Sequence, residues 1–155
     1  MAQVNTYLNF KRETERAFNF YRSVFGGEFR GGIHRFKDVP PSPDQPPLNE
    51  ADKDLIMHVA LPILGGHVLM GTDAPESMGF QLTQGNNVYI NLQTDTRQET
   101  ERLFKALSVN GKVEMPLQDM FWGDYFGCLT DQFGIHWMFS CSSKSISCCR
   151  NPRTG

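Results

Sequence analysis

No apolar run in this sequence is long enough to cross a bilayer. The longest, Val59 to Leu64, is broken by Pro62, whereas a spanning helix needs about 20 apolar residues. An excess of one charge is also missing. Fifteen Lys and Arg stand against seventeen Asp and Glu, a formal net charge of −2, and no basic block stands out. Nucleic-acid binding needs many cations on one face to neutralise phosphates, so a nucleic-acid partner is not expected. Cysteine is sparse and badly spaced for chemistry: the four include no Cys-x-x-Cys pair and no His placed to complete a zinc site. Cys128 and Cys141 fall in apolar, strand-like segments, and Cys148 and Cys149 are adjacent in a polar tail. Reduced structural thiols are therefore expected. The start, Met1-Ala2-Gln3-Val4-Asn5, lacks the basic end and apolar stretch of a signal peptide. The expectation is a cytoplasmic protein with no membrane partner. No Ser-His-Asp order or lysine-centred site is recognisable, and the pairs Gly26-Gly27 and Gly31-Gly32 are not followed by the helix of a phosphate loop.

What is present suffices for a core. Of 155 residues 39% are hydrophobic and 21% charged, which suits one domain or two closely fused modules. Val4-Asn5-Thr6-Tyr7-Leu8-Asn9-Phe10 alternates polar with apolar, as a half-buried strand does. Glu13 to Phe25 then carries Ala17, Phe18, Tyr21, Val24 and Phe25 as one helical stripe, stopped by Gly26-Gly27. The same order returns with Val88-Tyr89-Ile90-Asn91-Leu92-Gln93, a capping box at Thr96-x-x-Glu99, and the stripe Leu103, Phe104, Leu107 before Asn110-Gly111. Leu8 and Leu92, Phe20 and Phe104, and Gly27 and Gly111 each match at an offset of 84. Closing strands are expected at Leu55 to Ile63 and His67 to Thr72, then at Phe121 to Leu129 and Ile135 to Cys141. There the offset drops to 68, as from Met70 to Met138. A long insertion in the first copy explains the drop. Asp38 to Glu50 holds five prolines, which forbid helix and sheet interior, and reads as an exposed loop.

The expected architecture is α+β: two βαβββ modules, about 1–75 and 84–141, within a single domain over 1–141. They are expected to form a curved mixed sheet around a cavity, with helices on the outer face and a flexible tail over 142–155. Phe25-Gly26-Gly27 makes a sharp exit from the helix, and Asp131-Gln132-Phe133-Gly134 reads as a hairpin turn with Gly134 at positive φ. Trp122 and Trp137 are of the type that more often fills cores than binds ligands.

This βαβββ repeat resembles the vicinal oxygen chelate superfamily of glyoxalases, extradiol dioxygenases and bleomycin-resistance proteins, and within it the PhnB-like group. The residues that carry the resemblance run from Val4 to Cys141. They include Tyr7-Leu8-Asn9-Phe10, Phe25-Gly26-Gly27, Met57-His58-Val59-Ala60-Leu61, Leu69-Met70-Gly71-Thr72-Asp73, Phe121-Trp122-Gly123-Asp124-Tyr125-Phe126-Gly127 and Asp131-Gln132-Phe133-Gly134-Ile135-His136-Trp137. In metal-dependent members, His, Glu or Gln ligands come from the first and last strand of each half. The resemblance puts Asn5, Met70, Tyr89 and Met138 at those positions. Thioether, phenol and carboxamide groups are poor ligands for Mg²⁺, Mn²⁺ or Zn²⁺. The expectation is no metal and no cofactor. His34, His58, His67 and His136 share no i, i+2 or i, i+4 spacing and are expected as surface or pocket histidines.

Strand alternation turns Leu8, Phe10, Ile90 and Leu92 toward their helices and leaves Asn5, Tyr7 and Asn9 on one wall, with Tyr89, Asn91 and Gln93 on another. With Met70, Met138, Trp122, Asp124 and Tyr125, and with His58 as the general-base candidate, these residues would line a pocket for a planar or amphipathic organic molecule. The reading that follows is a small-molecule-binding protein, metal-independent and paired as a homodimer as the resemblance implies. The alternative is a metal-dependent lyase, isomerase or dioxygenase of the same superfamily. Whether a reaction is catalysed stays open. A methyltransferase activity, a label also attached to PhnB-like sequences, finds no glycine-rich strand–turn–helix here for its cofactor.

Overall fold

The computed structural model describes residues 1–142. The tail expected over 142–155, with Cys148 and Cys149, lies outside the described residues except for Ser142. The chain divides into two units, Met1–Gln84 and a second that begins at Gly85. In the first unit β1 (Thr6–Phe10), α1 (Thr14–Phe25), β2 (His34–Arg35), β3 (Ile56–Pro62) and β4 (Val68–Asp73) build a four-stranded sheet in the order β1-β4-β3-β2. In the second, β5 (Ile90–Thr94), α2 (Arg97–Leu107), β6 (Lys112–Asp119), β7 (Asp124–Thr130) and β8 (His136–Ser142) repeat it as β5-β8-β7-β6. The first strand of each unit runs parallel to the last, and the remaining pairs are antiparallel. The architecture is α+β, a βαβββ module built twice.

The repeat holds down to register. Tyr7 stands opposite Met70 and Leu8 opposite Gly71; Asn91 stands opposite Met138 and Leu92 opposite Phe139. The two sequence offsets therefore meet across one strand pair in each unit. Leu8, Phe10 and Leu92 are buried as alternation requires, while Ile90 is half-buried. In α1 the stripe Ala17, Phe18, Tyr21 and Val24 is buried against the sheet, and in α2 so are Leu103 and Leu107. Burial of such a stripe is where most helix stability in a protein comes from. α1 passes so close to β4 that any side chain at Gly71 would collide with the Phe18 ring.

The two helices begin differently. Thr96 caps α2 locally, its hydroxyl accepting from the Glu99 amide at 3.1 Å. α1 has no local side-chain cap. Its Thr14 amide and hydroxyl donate instead to the buried carboxylate of Asp73, at the end of β4, at 3.1 and 2.8 Å. The turn at Asp131 follows the sequence reading: its carboxylate accepts from the amides of Phe133 (2.8 Å) and Ile135 (3.1 Å), and Gly134 has φ 86°. Its second oxygen accepts from the indole of the fully buried Trp137 at 2.8 Å.

β6 and the start of β7 depart from expectation. β6 is an exposed edge strand with breaks in register on either side of Met115, the second spanning Pro116, which is where a sheet tolerates proline. The segment Phe121-Trp122-Gly123, expected to open a strand, is a turn closed by Met120 N–H to Asp124 O at 2.8 Å. Trp122 is accordingly half-exposed and packs edge-on against Phe126, not in a core.

Residues 37–50 are exposed without interruption. The loop is anchored beyond its ends, where Asp52 is buried under Ser77 (2.6 Å) and Arg12 (2.9 Å) and the Phe36 amide donates to Leu55 O at 3.1 Å. Replacing residues 39–48 with a short Gly-Ser turn is expected to leave the melting temperature nearly unchanged. The loop buries little, and each halving of loop length changes closure entropy by only about 0.6 kcal/mol. A drop of many degrees by circular dichroism would show that the loop supports the fold.

Candidate functional site

One face of each sheet is covered by its helix, so the other carries whatever chemistry the sheet offers. In the second unit that face holds Tyr89, Asn91, Cys128, Thr130, His136 and Met138, as the pairs Asn91–Met138, Cys128–Met138 and Thr130–His136 require. Glu114 reaches it from β6 and collects their polar groups. The Tyr89 hydroxyl donates to Oε2 at 2.5 Å and the Thr130 hydroxyl to Oε1 at 2.5 Å. The Cys128 thiol lies 3.9 Å from Oε2, and His136 Nδ1 lies 3.5 Å from Oε1. His136 Nδ1 is also 2.8 Å from the Thr130 hydroxyl, and Nε2 is 3.0 Å from the Gly85 carbonyl, which can only accept. The Tyr89 and His136 rings are tilted against each other with centroids 5.2 Å apart. A carboxylate fed by two hydroxyls and flanked by two rings is thus assembled from four different segments.

The electrostatics follow from that geometry. Hydrogen bonds from Thr130 and then Tyr89 hold the Glu114 carboxyl below the usual carboxylate range. The same bond to Glu114 pushes the Tyr89 phenol up to about 12. Burial first and the Glu114 charge second raise the Cys128 thiol, so this cysteine is no ready thiolate. The sign of the pH dependence is fixed. A phenol raised in the fold contributes stability that is complete below its unfolded value, about 10, and that is lost as pH rises through about 12. Stability is therefore expected to fall between those two values. Glu114→Gln should remove the part of that slope that belongs to Tyr89, read by urea unfolding at several alkaline pH values. An identical slope in the variant would refute the coupling.

In the first unit the uncovered face brings together Tyr7, Met70 and His58, with Asn9 further along β1. The Tyr7 and His58 rings are 6.0 Å apart, and Tyr7 is 49% exposed. Among the described residues the His58 side chain makes no hydrogen bond, so no acceptor orients the ring as a general base needs. Asn5 is exposed ahead of β1. His67 pairs elsewhere, its Nε2 2.8 Å from the Thr6 hydroxyl.

The other expected wall residues have partners outside the Glu114 cluster. Tyr125 sits on the helix side of its sheet, its hydroxyl donating to Glu101 of α2 at 3.0 Å with the Arg97 guanidinium 4.3 Å from its ring centre. Asp124, the first residue of β7, falls by alternation on the uncovered face with Cys128 and Thr130, and it accepts from the Trp122 indole at 3.0 Å. Adjacent strand residues point to opposite faces, so Asp124 and Tyr125 could not both line one wall. Sequence reasoning missed Glu114 entirely and left His136 as one histidine among four. Among the described residues no group of three or more His, Cys, Asp or Glu is placed to hold a metal ion, and no helix is long and apolar enough to cross a membrane.

A family profile for the Glyoxalase/Bleomycin resistance protein/Dioxygenase superfamily matches residues 3–139. The chain belongs to that superfamily. It is 29% identical over 146 residues to Protein YjdN of Escherichia coli, covering 88% of this chain and 93% of that protein. A crystal structure of protein PA1353 from Pseudomonas aeruginosa superposes with a TM-score of 0.77 at 34% identity, over 92% of this chain and 98% of the other. A Bacillus cereus PhnB protein, described as a putative 3-demethylubiquinone-9 3-methyltransferase, shares the fold with a TM-score of 0.71 at 24% identity, over 91% and 100% of the two chains. The superfamily match spans both units, as a twice-built βαβββ module should.

Proposed function

We propose that this protein binds a small organic molecule at the uncovered sheet faces, without a metal, and that it works as a homodimer. The observation that carries the reading is the convergence of Tyr89, Thr130 and Cys128 on Glu114 beside the ring of His136. A few converging polar groups set among aromatic and thioether surface is the usual make-up of a ligand site. The nearby Met138 and Asn91 supply soft apolar contact and an amide. Rings stack on a planar ligand, and the ionised carboxylate prefers one that brings a hydrogen-bond donor. The residues at the superfamily's ligand positions, Asn5, Met70, Tyr89 and Met138, speak against a hard cation.

The test is a thermal-shift screen of planar aromatic metabolites and antibiotics, followed by calorimetry of the hits, with and without Mn²⁺, Zn²⁺ and Fe²⁺. Tyr89→Ala is expected to weaken a stacking ligand by roughly 1 kcal/mol or more while the fold stays intact. A metal present at 100 times its Kd would add about 2.7 kcal/mol of stability, so a tight site would be plain. Stoichiometric co-purified metal would overturn the metal-free reading and favour the metal-dependent enzyme. Sedimentation at a mass near 17.6 kDa at high micromolar concentration would refute the dimer.

A further inference from the structure

The first unit contains a concavity of about 640 Å³ under the proline-rich loop, well away from the Tyr89 cluster in sequence and separate from the uncovered sheet face. Phe36 and Met57 form part of its wall, and four prolines of the loop form much of the rest. The volume lies within the roughly 300–1,000 Å³ of small-molecule pockets. Prolines suit such a wall physically. Their fixed φ keeps an exposed loop from collapsing, and each removes a backbone N–H that would otherwise need a partner. The charge on the wall has one sign. Lys37 and Lys53 line the concavity, whereas Asp38, Asp44, Glu50 and Asp54 of the same stretch do not. Each lysine has a carboxylate outside: Lys37 meets Asp54 at 2.7 Å and Lys53 meets Glu50 at 2.5 Å. Both pairs are largely solvent-exposed, and pairs of that kind are worth about 0–1 kcal/mol. A ligand anion can therefore compete for either ammonium. Ser42 and Gln45 add neutral hydrogen-bonding groups to the same wall.

We infer that this concavity is a second binding site, one that takes a small amphipathic organic anion with an apolar body and a single acidic group. The loop then exists for this site, which explains how an insertion with no part in the sheet can be kept open by prolines. The body lies against Phe36, Met57 and the proline rings, and the acidic group lies between Lys37 and Lys53.

Two fluorescent probes test this on the full chain: 8-anilino-1-naphthalenesulfonate, an amphipathic anion, and N-phenyl-1-naphthylamine, its uncharged counterpart. Lys37→Met with Lys53→Met is expected to weaken the anion at least tenfold and to change the neutral probe less than twofold. Met57→Trp, which fills the wall without touching the loop, should weaken both at least fivefold. In a Tyr89→Ala background, which removes the stacking ring of the other site, replacing residues 39–48 with a Gly-Ser turn should abolish both. Unchanged binding of both probes to the Met57 and loop variants overturns the site. Anion binding that survives the double lysine variant, or falls only in step with the neutral probe, overturns the assignment to an anion. Should the loop variant fail to fold, the Met57 and lysine variants decide alone.

Discussion

Replacing Trp137 with alanine is expected to cost about 3–5 kcal/mol, the range for deleting a fully buried large aromatic. Trp137 is completely buried in the core of the second unit, and its indole donates to Asp131 at 2.8 Å. The substitution therefore opens a cavity and strips a donor from a carboxylate that also holds the β7–β8 turn through the Phe133 and Ile135 amides. A domain's whole stability is about 5–15 kcal/mol, so a large fraction disappears at one position. Trp137→Phe separates the two causes, since it keeps most of the ring volume and loses only the donor, for a cost of about 1–3 kcal/mol. Urea unfolding followed by circular dichroism measures both. An alanine variant within 1 kcal/mol of the parent would mean that this core repacks around the gap.

Asp73→Ala should be nearly as damaging. Its buried carboxylate accepts three bonds, two from Thr14 and one from the Ile56 amide at 2.8 Å. These bonds tie the first turn of α1 and the first residue of β3 to the end of β4. Alanine leaves two buried amides without acceptors, at about 1–3 kcal/mol each, for a loss of roughly 3 kcal/mol or more. Asp73→Asn should fall between, because a carboxamide has one accepting atom where the carboxylate has two. Equal stability of the asparagine and alanine variants would show that the helix start does not depend on this acceptor.

The contrast between these two aspartates explains what the sequence could tell. Asp131 bonds to residues within four positions of itself, so its role is written in the local string Asp131-Gln132-Phe133-Gly134. Asp73 bonds to Thr14, 59 positions away, and at the end of an apolar strand it reads only as punctuation. The same distinction governs the site. Tyr89, Asn91 and Met138 follow from alternation and the repeat, because β5 and β8 are regular strands. Glu114 does not, because β6 is exposed, mostly polar and irregular in register about Pro116, which erases the period that assigns a face. Trp122 and Tyr125 do not share a wall: the chain turns from Met120 to Asp124 before β7 begins, and Tyr125 then faces α2, where its hydroxyl meets Glu101.

The parallel pairing of first and last strands has a consequence for synthesis. β1 and α1 leave the ribosome first, but the edge that β1 needs does not exist until β4 is made, Thr6 meeting Leu69 and Phe10 meeting Asp73. At about 5–20 residues per second, the wait is several seconds. Throughout it the apolar stripe of Ala17, Phe18, Tyr21 and Val24 has no sheet to cover, and α1 lacks the carboxylate that caps it. The proline-rich insertion lies within that interval and lengthens it, whereas β5 waits for β8 over a shorter stretch. The first unit is thus the one whose opening strand waits longest for its partner.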